Sequence, residues 1–395
     1  MKFKKYKLVD IGKIVTGNTP SKSNCLYYDS KDILFVKPDD LSVDRVSHIT
    51  SSKEYISNNA SLNARILPKG SVLVTCIGTI GKVAITDLEA VAINQQINAI
   101  IPNKQIVDEG YLAYLMWHLK KQLQFIANAP VVPIINKSQF SEFQVEIPDL
   151  IYQQRVLLIL NKAQELIDKR RAQIEALDQL TQSVFLEMFG DPGNNPNEYQ
   201  YEKLENHIDF LTSGSRGWAK YFAESGEMFI TIKNVKQGEI IFDNVTYVNP
   251  PKTKEAERTK VQEGDLLISI TADLGRTAVV SEEVASKGAY INQHLSLLRL
   301  NSNCNPTYIS FFLESPAGRR QFQSLNQEGV KAGLNFTSIK SLEIMVPPLH
   351  LQNKFEEVYL KVKECKKSLQ KSLTELENNF NSLMQRAFKG ELFND

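Results

Sequence analysis

Leu150 to Gly190 reads LIYQQRVLLILNKAQELIDKRRAQIEALDQLTQSVFLEMFG, and Leu349 to Gly390 reads LHLQNKFEEVYLKVKECKKSLQKSLTELENNFNSLMQRAFKG. A shift of 199 residues lays Gln153 on Gln352, Leu177 on Leu376, Ser183 on Ser382 and Phe189 on Phe388. In the first stretch Val156, Leu160, Ala163, Ile167, Arg170, Ile174, Leu177, Thr181, Val184 and Met188 recur at alternating steps of four and three. The shifted set is Phe355, Tyr359, Val362, Lys366, Leu369, Leu373, Leu376, Phe380, Leu383 and Ala387. One heptad seam in one register is therefore written twice. Neither stretch holds a proline or an internal glycine, so each predicts one helix of about 60 Å. Propensity alone does not hold such a helix in water, and its apolar stripe needs a partner. The nearest partner is the other copy. Arg170 and Lys366 interrupt the seams, where a long cation reaches the edge and fixes register.

Working outward, the chain before each helix repeats an order of features. Residues 1–149 open with KYKLVDIGKIVTGNTPSKSN, an amphipathic segment closed by Gly17 and the turn formers Asn18, Thr19 and Pro20. Short strands follow at Ile33 to Val36, Ser71 to Ile77, Val83 to Ile85 and Ile97 to Ile101, then one helix from Tyr111 to Ala127 and a last strand at Phe143 to Ile147. In residues 199–348, Gly214 echoes Gly17, Asp265 to Ile270 echoes Ser71 to Ile77, and Ile291-Asn292-Gln293-His294 echoes Ile93-Asn94-Gln95-Gln96. The helix Tyr308 to Phe322 echoes Tyr111 to Phe125, and Asn335 echoes Asn136. The halves agree at turns and at the helix seams and differ between them, for example Lys22 to Asn63 against Trp218 to Glu257. That pattern suits one scaffold carrying two different surfaces. Residues 191–198, rich in Pro, Gly and Asn, link the halves. The reading is thus residues 1–149, helix 150–190, linker 191–198, residues 199–348 and helix 349–390.

Composition narrows the class. With 395 residues, 42% hydrophobic and 23% charged, the chain reads as an ordinary globular protein of two or three domains. No apolar run approaches membrane-spanning length. The opening MKFKKYKLVD has basic residues but no apolar core behind them, so it is not read as a secretory signal. Cys25, Cys76, Cys304 and Cys365 stand apart, without zinc or disulfide spacing, and a reduced cytoplasmic setting is expected. A formal net charge of +1 argues against a wholly basic coat, so any nucleic-acid binding must use local patches.

Catalytic chemistries find no support. Asn249-Pro250-Pro251 is similar to the NPP core of adenine methyltransferases, but Lys252 stands where an aromatic would stack on a flipped base. Gly78 to Lys82 lacks the spacing of a phosphate-cradling loop. His48, His118, His207, His294 and His350 are scattered, without a metal or triad pattern, and no cofactor is implied.

The layout resembles the specificity (S) subunits of type I restriction-modification systems over nearly the whole chain. The resemblance rests on Leu8 to Ser21 with its TGNTPS turn, TCIGTIGKVA at Thr75 to Ala84, INQQ at Ile93 to Gln96 and IPDLIYQQ at Ile147 to Gln154. The second half supplies ITADLGRTA at Ile270 to Ala278, INQH at Ile291 to His294 and VPPLHLQ at Val346 to Gln352. Departures are Ala272 to Gly275 against Gly78 to Gly81, and Pro-Pro against Pro-Asp before the helices. The resemblance implies an α+β fold: two α/β target-recognition domains in pseudo-two-fold arrangement, separated by an antiparallel pair of long helices packed as a coiled coil. It implies a non-catalytic subunit that reads a bipartite, asymmetric double-stranded DNA target. Its partners would be two adenine-N6 methyltransferase (M) subunits and the restriction (R) subunits. The other reading is a two-domain protein-interaction scaffold without DNA reading. A third, a methyltransferase fused to a recognition domain, is opposed by Lys252 and the missing cofactor loop.

Candidate DNA contacts follow from chemistry and position. Lys82 and Arg276 lie at matching glycine-bounded turns, where a cation meets a phosphate, reads a guanine edge, or stays solvated. Gln95, Gln96, Gln293 and His294 either bond adenine edges or tie loops together. Ser213 to Lys220, with Arg216, Trp218 and Lys220, mixes basic, aromatic and small residues as a groove-inserting loop would. Lys22, Lys37, Lys233 and Lys236, and Lys137 and Lys331 ahead of the long helices, are phosphate contacts or surface lysines. Val358, Leu360 and Leu158 lie off the seams and suggest surface for protein partners.

Overall fold

A computed structural model of the chain describes residues 3–127, 132–326 and 333–393. The two heptad stretches form helices Leu150–Phe189 and Leu349–Phe388, of 40 residues each. The chain divides into two compact units, and the division runs through both helices: the first unit is residues 1–172 with 371–395, the second 173–370.

In the first unit Val156, Leu160 and Ile167 share a core with Phe380, Met384 and Ala387, while Leu373, Leu376 and Leu383 pack against it. Tyr152 donates its hydroxyl hydrogen to the Ala387 carbonyl at 2.8 Å, and Arg171 pairs with Glu377 at 2.7 Å. In the second unit Phe185 meets Phe355 edge-on with centroids 5.3 Å apart, and Lys366 reaches Asp178 at 2.5 Å. Early residues of one helix thus face late residues of the other in both units, so the pairing is antiparallel. All twenty seam positions are buried or half-buried, including Ile174, Leu177, Val184, Tyr359, Val362 and Leu369. Off the seams, Ile151 is 73% exposed, Leu158 75% and Leu360 52%, whereas Val358 is half-buried.

The first unit holds a five-stranded sheet in the order Gly12–Thr16, Ile97–Pro102, Val72–Thr75, Val83–Thr86, Ser47–Ile49; only the last pairing is parallel. A four-stranded sheet runs Glu54–Ile56, Ile33–Val36, Val91–Ile93, Ile66–Leu67, with a parallel central pair. The second unit repeats this plan. Its sheets run Ile208–Ser213, Leu295–Leu300, Leu266–Ser269, Thr277–Val279, and Phe222–Ala223, Thr246–Val248, Glu227–Ile230, Ala289–Ile291, again with a parallel pair at the end of the second. In both units a two-stranded ribbon precedes the long helix: Lys4–Lys7 on Gln144–Ile147, and Tyr201–Lys203 on Glu343–Met345. Central strands are buried on both faces, which explains their near-continuous Val, Ile and Leu runs.

The middle helices depart from the expected single span. The first is Glu109–His118 followed by Lys120–Ile126, with Leu119 out of helical geometry at ψ 7°. The break turns Leu123 and Ala127 into the core while Lys121 stays exposed. The second is Pro306–Glu314 followed by Pro316–Leu325. There Pro316 drives Ser315 to ψ 161°, and Ser315 caps the next helix by accepting from the Gly318 amide at 3.2 Å.

Each long helix is bolted to its unit by a fully buried glutamine. Gln153 Oε1 accepts from the Asp108 amide, and its Nε2 donates to the Ile106 and Pro148 carbonyls, all at 2.9 Å. Gln352 Oε1 accepts from the Asn305 amide at 2.9 Å and its Nε2 donates to the Pro347 carbonyl at 2.7 Å. Gln352→Leu would strand one buried amide and one buried carbonyl, so a loss of about 2–4 kcal/mol is expected. Chemical denaturation of the full chain measures it, and a change under about 0.5 kcal/mol would show that the bond is dispensable.

Candidate nucleic-acid interface

In each unit the loops at one end of the sheets are stitched together by the same backbone hydrogen bonds. In the first unit, Gly17 N donates to Ile97 O at 3.1 Å and Asn18 N to Ile93 O at 3.0 Å. Cys76 N donates to Gln96 O at 2.8 Å, Ile135 N to Cys76 O at 2.8 Å, and Asn94 N to Val36 O at 3.2 Å. In the second unit the corresponding pairs are Gly214 N to Leu295 O, Ser215 N to Ile291 O, Ile270 N to His294 O, Leu334 N to Ile270 O and Asn292 N to Ile230 O, at 2.9–3.1 Å. Five loops thus meet at one edge: the turn after the opening strand, the turn after Val36 or Ile230, the glycine-bounded turn, the Asn-Gln turn, and the strand end before the last short helix.

Two glycines are obligatory there because backbone passes against backbone. A Cβ on Gly17 would lie 2.1 Å from the Asn94 carbonyl oxygen, and one on Gly214 would lie 2.1 Å from that of Asn292. Asn94 and Asn292 close their own turns, each accepting on Oδ1 from the amide two residues on, Gln96 at 3.1 Å and His294 at 3.2 Å. The glycine-bounded turn needs a left-handed corner, which Gly78 supplies at φ 74° and Ala272 supplies at φ 59° against the preference of a residue with a Cβ.

The side chains on this shared edge differ between the units. In the first, Gln95 is exposed and its Oε1 accepts from the Thr19 hydroxyl at 2.6 Å; Gln96 Oε1 accepts from Asn94 at 2.9 Å. Lys22 is exposed. Lys37 is half-buried, ion-paired with Glu54 and 5.5 Å from the Phe35 ring centroid. Lys82 is 9% exposed and turned inward, its Nζ donating to the Pro38 carbonyl at 2.8 Å. Burial and a protein partner therefore withdraw Lys82 from the edge. Lys137 lines a cleft of about 590 Å³ with Asp10, Lys13 and Pro102, at the far end of the opening strand from Gly17.

In the second unit, Arg216 and Lys220 are exposed, the latter's Nζ 4.9 Å from the Tyr221 ring centroid. Lys233 and Lys236 are exposed, Lys233 on the turn that matches Lys37 to Asp40. Gln293 and His294 are half-buried; their Nε2 atoms are 3.2 Å apart, and His294 Nδ1 is 2.7 Å from the Thr271 hydroxyl. Arg276 forms an ion pair with Asp273. Lys331 lies outside the described residues.

Trp218 is a correction. It is 3% exposed, stacked on Phe229 at 5.7 Å and packed against Tyr290 and Tyr221. Left-handed Gly217 starts a single turn, Trp218–Tyr221, that swings the indole into this aromatic core and leaves Arg216 outside.

Sequence reading also missed Arg258, whose Nη1 donates to the Thr212 hydroxyl and, at 2.8 Å, to the Ser213 carbonyl beside Gly214. Nothing in the spacing around it points to the edge. The histidines are not all isolated either: Cys304 Sγ lies 3.2 Å from His207 Nδ1, and His207 Nε2 lies 3.1 Å from Glu202. This chain resembles a nucleophile triad in order but not in chemistry. Burial, reinforced by Glu202, pushes the Cys304 thiol up to about 12, so the sulfur keeps its proton. No group of three or more metal-ligating side chains occurs among the described residues. Nor is any helix among them long and apolar enough to cross a membrane.

The family model for the type I restriction modification DNA specificity domain matches residues 1–176 and again 209–378. The chain belongs to this family. It is a DNA specificity subunit of a type I restriction-modification system, the non-catalytic part that recognises the target sequence. The type I restriction enzyme MjaIX specificity subunit of Methanocaldococcus jannaschii is 24% identical over 406 residues, spanning 98% of this chain and 92% of that one. Two solved structures share the fold over nearly all of both chains. The crystal structure of a type I restriction-modification S subunit from M. genitalium gives a TM-score of 0.58 at 13% identity, covering 100% of this chain and 97% of that one. A chain from a structural study of complex assembly and conformational transition of the type I R-M system gives 0.60 at 17% identity, covering 99% and 98%.

Proposed function

We propose that residues 1–149 and 199–348 each read one half of a split, asymmetric DNA target through the five-loop edge. In the same reading, helices 150–190 and 349–390 set the gap between the halves. One observation carries this: the edge is assembled twice from matching backbone hydrogen bonds, while the side chains mounted on it differ. An identical frame with unlike side chains is what two dissimilar half-sites require. Arg216, Arg258, Arg276, Gln293 and His294 are the contacts of one half; Lys22, Thr19, Gln95 and Gln96 are those of the other. The exposed Lys233 serves the backbone, whereas Lys37 is neutralised by Glu54.

The helices also dock the partners: two adenine-N6 methyltransferase subunits, with restriction subunits joining through them, in the cytoplasm. The exposed Ile151 and Leu158, one heptad apart on the outer face of their helix, support protein docking there.

Coexpression with the methyltransferase subunit of the same system, followed by mapping of methylated adenines across the host genome, tests the reading. The expected result is one recurrent sequence in two unlike blocks with unread bases between. A single uninterrupted block, or methylation without sequence preference, would overturn it. Binding of random duplexes by the full chain should also weaken steeply between low and moderate salt, as phosphate neutralisation demands.

A further inference from the structure

The glycine-bounded turns of the two units share one staple. Thr75 Oγ1 donates to the Thr79 carbonyl at 2.5 Å and accepts from the Lys82 amide at 3.0 Å; Ser269 Oγ donates to the Asp273 carbonyl at 2.5 Å and accepts from the Arg276 amide at 2.8 Å. Position by position, Thr79 stands against Asp273 and Lys82 against Arg276. In the first unit the cation is tucked under the Pro38 carbonyl and the facing residue is neutral. In the second, Arg276 Nε and Nη2 both close on Asp273 Oδ2, with side chains 35% and 48% exposed.

A carboxylate on an edge offered to DNA opposes binding, because it repels phosphates and cancels a neighbouring cation. Its effect on the guanidinium is directional. With Nε and one side of Nη2 held by Asp273, the fork formed by Nη1 and the outer hydrogen of Nη2 has no partner among the described residues. That fork matches the O6 and N7 acceptors of guanine. A phosphate is drawn chiefly by net charge, and the Arg276–Asp273 pair has none. A guanine edge is drawn by oriented donors, which the pair keeps.

We propose that Asp273 is a positioning residue for specificity: it presents Arg276 to a guanine in one half-site and denies the guanidinium to phosphate. This rests on the DNA-reading function proposed above.

The test uses the full chain assembled with its methyltransferase subunits. Duplexes carry either the mapped target or a scrambled sequence of equal length, over a salt series. For Asp273→Asn, scrambled-duplex affinity is expected to rise about tenfold at low salt, with the slope of log K against log salt steepening by about 0.9, one more phosphate neutralised. The target-to-scrambled ratio should fall about tenfold, and methylation should spread to sites altered at one base pair of one half. Asp273→Glu should restore most of the ratio. Arg276→Ala should weaken the target about ten- to hundredfold, and adding Asp273→Asn to it should change the ratio no further. An Asp273→Asn ratio and slope equal to wild type, or an Asp273→Glu variant no better than Asn, sinks the inference while leaving the reading function intact. Wild-type complex that binds both duplexes alike overturns both.

Discussion

Deleting residues 170–176 and 369–375 together is expected to shorten the unread gap in the target by about three base pairs. Each deletion removes one heptad at the same position of the repeat, so both seams keep their register. Seven helical residues span about 10 Å, and duplex DNA rises about 3.4 Å per base pair. The cut falls in the layer where Arg171 meets Glu377, away from the aromatic packing of Phe380 in the first unit and Phe185 and Phe355 in the second. It also leaves Gln153 and Gln352 in place, so both recognition edges should persist and read the same bases. Methylation mapping of the doubly shortened chain decides the matter. The same two blocks at an unchanged distance would refute a spacing role for the helices. Deleting one heptad alone should instead misalign the seams and lower stability.

Gly214→Ala is expected to abolish recognition of one half-site while the other is still read, and Gly17→Ala to do the reverse. The added carbon at Gly214 would meet the Asn292 and Ile291 carbonyl oxygens at 2.1 and 2.2 Å, and both belong to backbone that cannot rotate away. Relief requires the opening turn and the Asn-Gln turn to separate, breaking the Gly214 to Leu295 and Ser215 to Ile291 bonds. About 3 kcal/mol of overpacking is expected, concentrated in one unit because each unit has its own core. Hydrogen exchange should report faster opening at the amides of residues 214, 215 and 293, which donate across the two turns, and no change at those of Gly17 and Asn18. Unchanged methylation of the wild-type target by a methyltransferase complex carrying the Gly214→Ala chain would show that the edge tolerates separation and does not read DNA.

How much of this was legible follows from the kind of force involved. The long helices were readable to the residue at their starts and to within one and two residues at their ends, because a seam of twenty positions is a many-fold repeated signal and Gly190 and Gly390 take left-handed geometry beyond Phe189 and Phe388. The doubled Gly, Asn-Gln and glycine-bounded turns were readable because backbone geometry restricts which residues fit. The split at Ser315 was legible in principle, since a proline follows it, whereas the split at Leu119 leaves no mark in sequence. Side-chain direction was not legible. Lys82 and Arg276 occupy matching places, yet one is turned inward and the other outward, and the difference lies in a carbonyl of Pro38 and a carboxylate of Asp273. Trp218 looked like a surface probe because its neighbours are basic; what buries it is Phe229 and Tyr290, distant in sequence.

The first unit is built from residues 1–172 and 371–395, with the whole of the second made in between. On the ribosome, Val156, Leu160 and Ile167 must therefore wait for Phe380, Met384 and Ala387 through more than two hundred further residues of synthesis. A nascent chain in that interval carries an open apolar stripe that only the late segment covers. Slow translation, or a stop codon shortly before residue 371, should thus penalise the module made first more than the one made second, and favour a chaperone that shields that stripe until the last helix emerges.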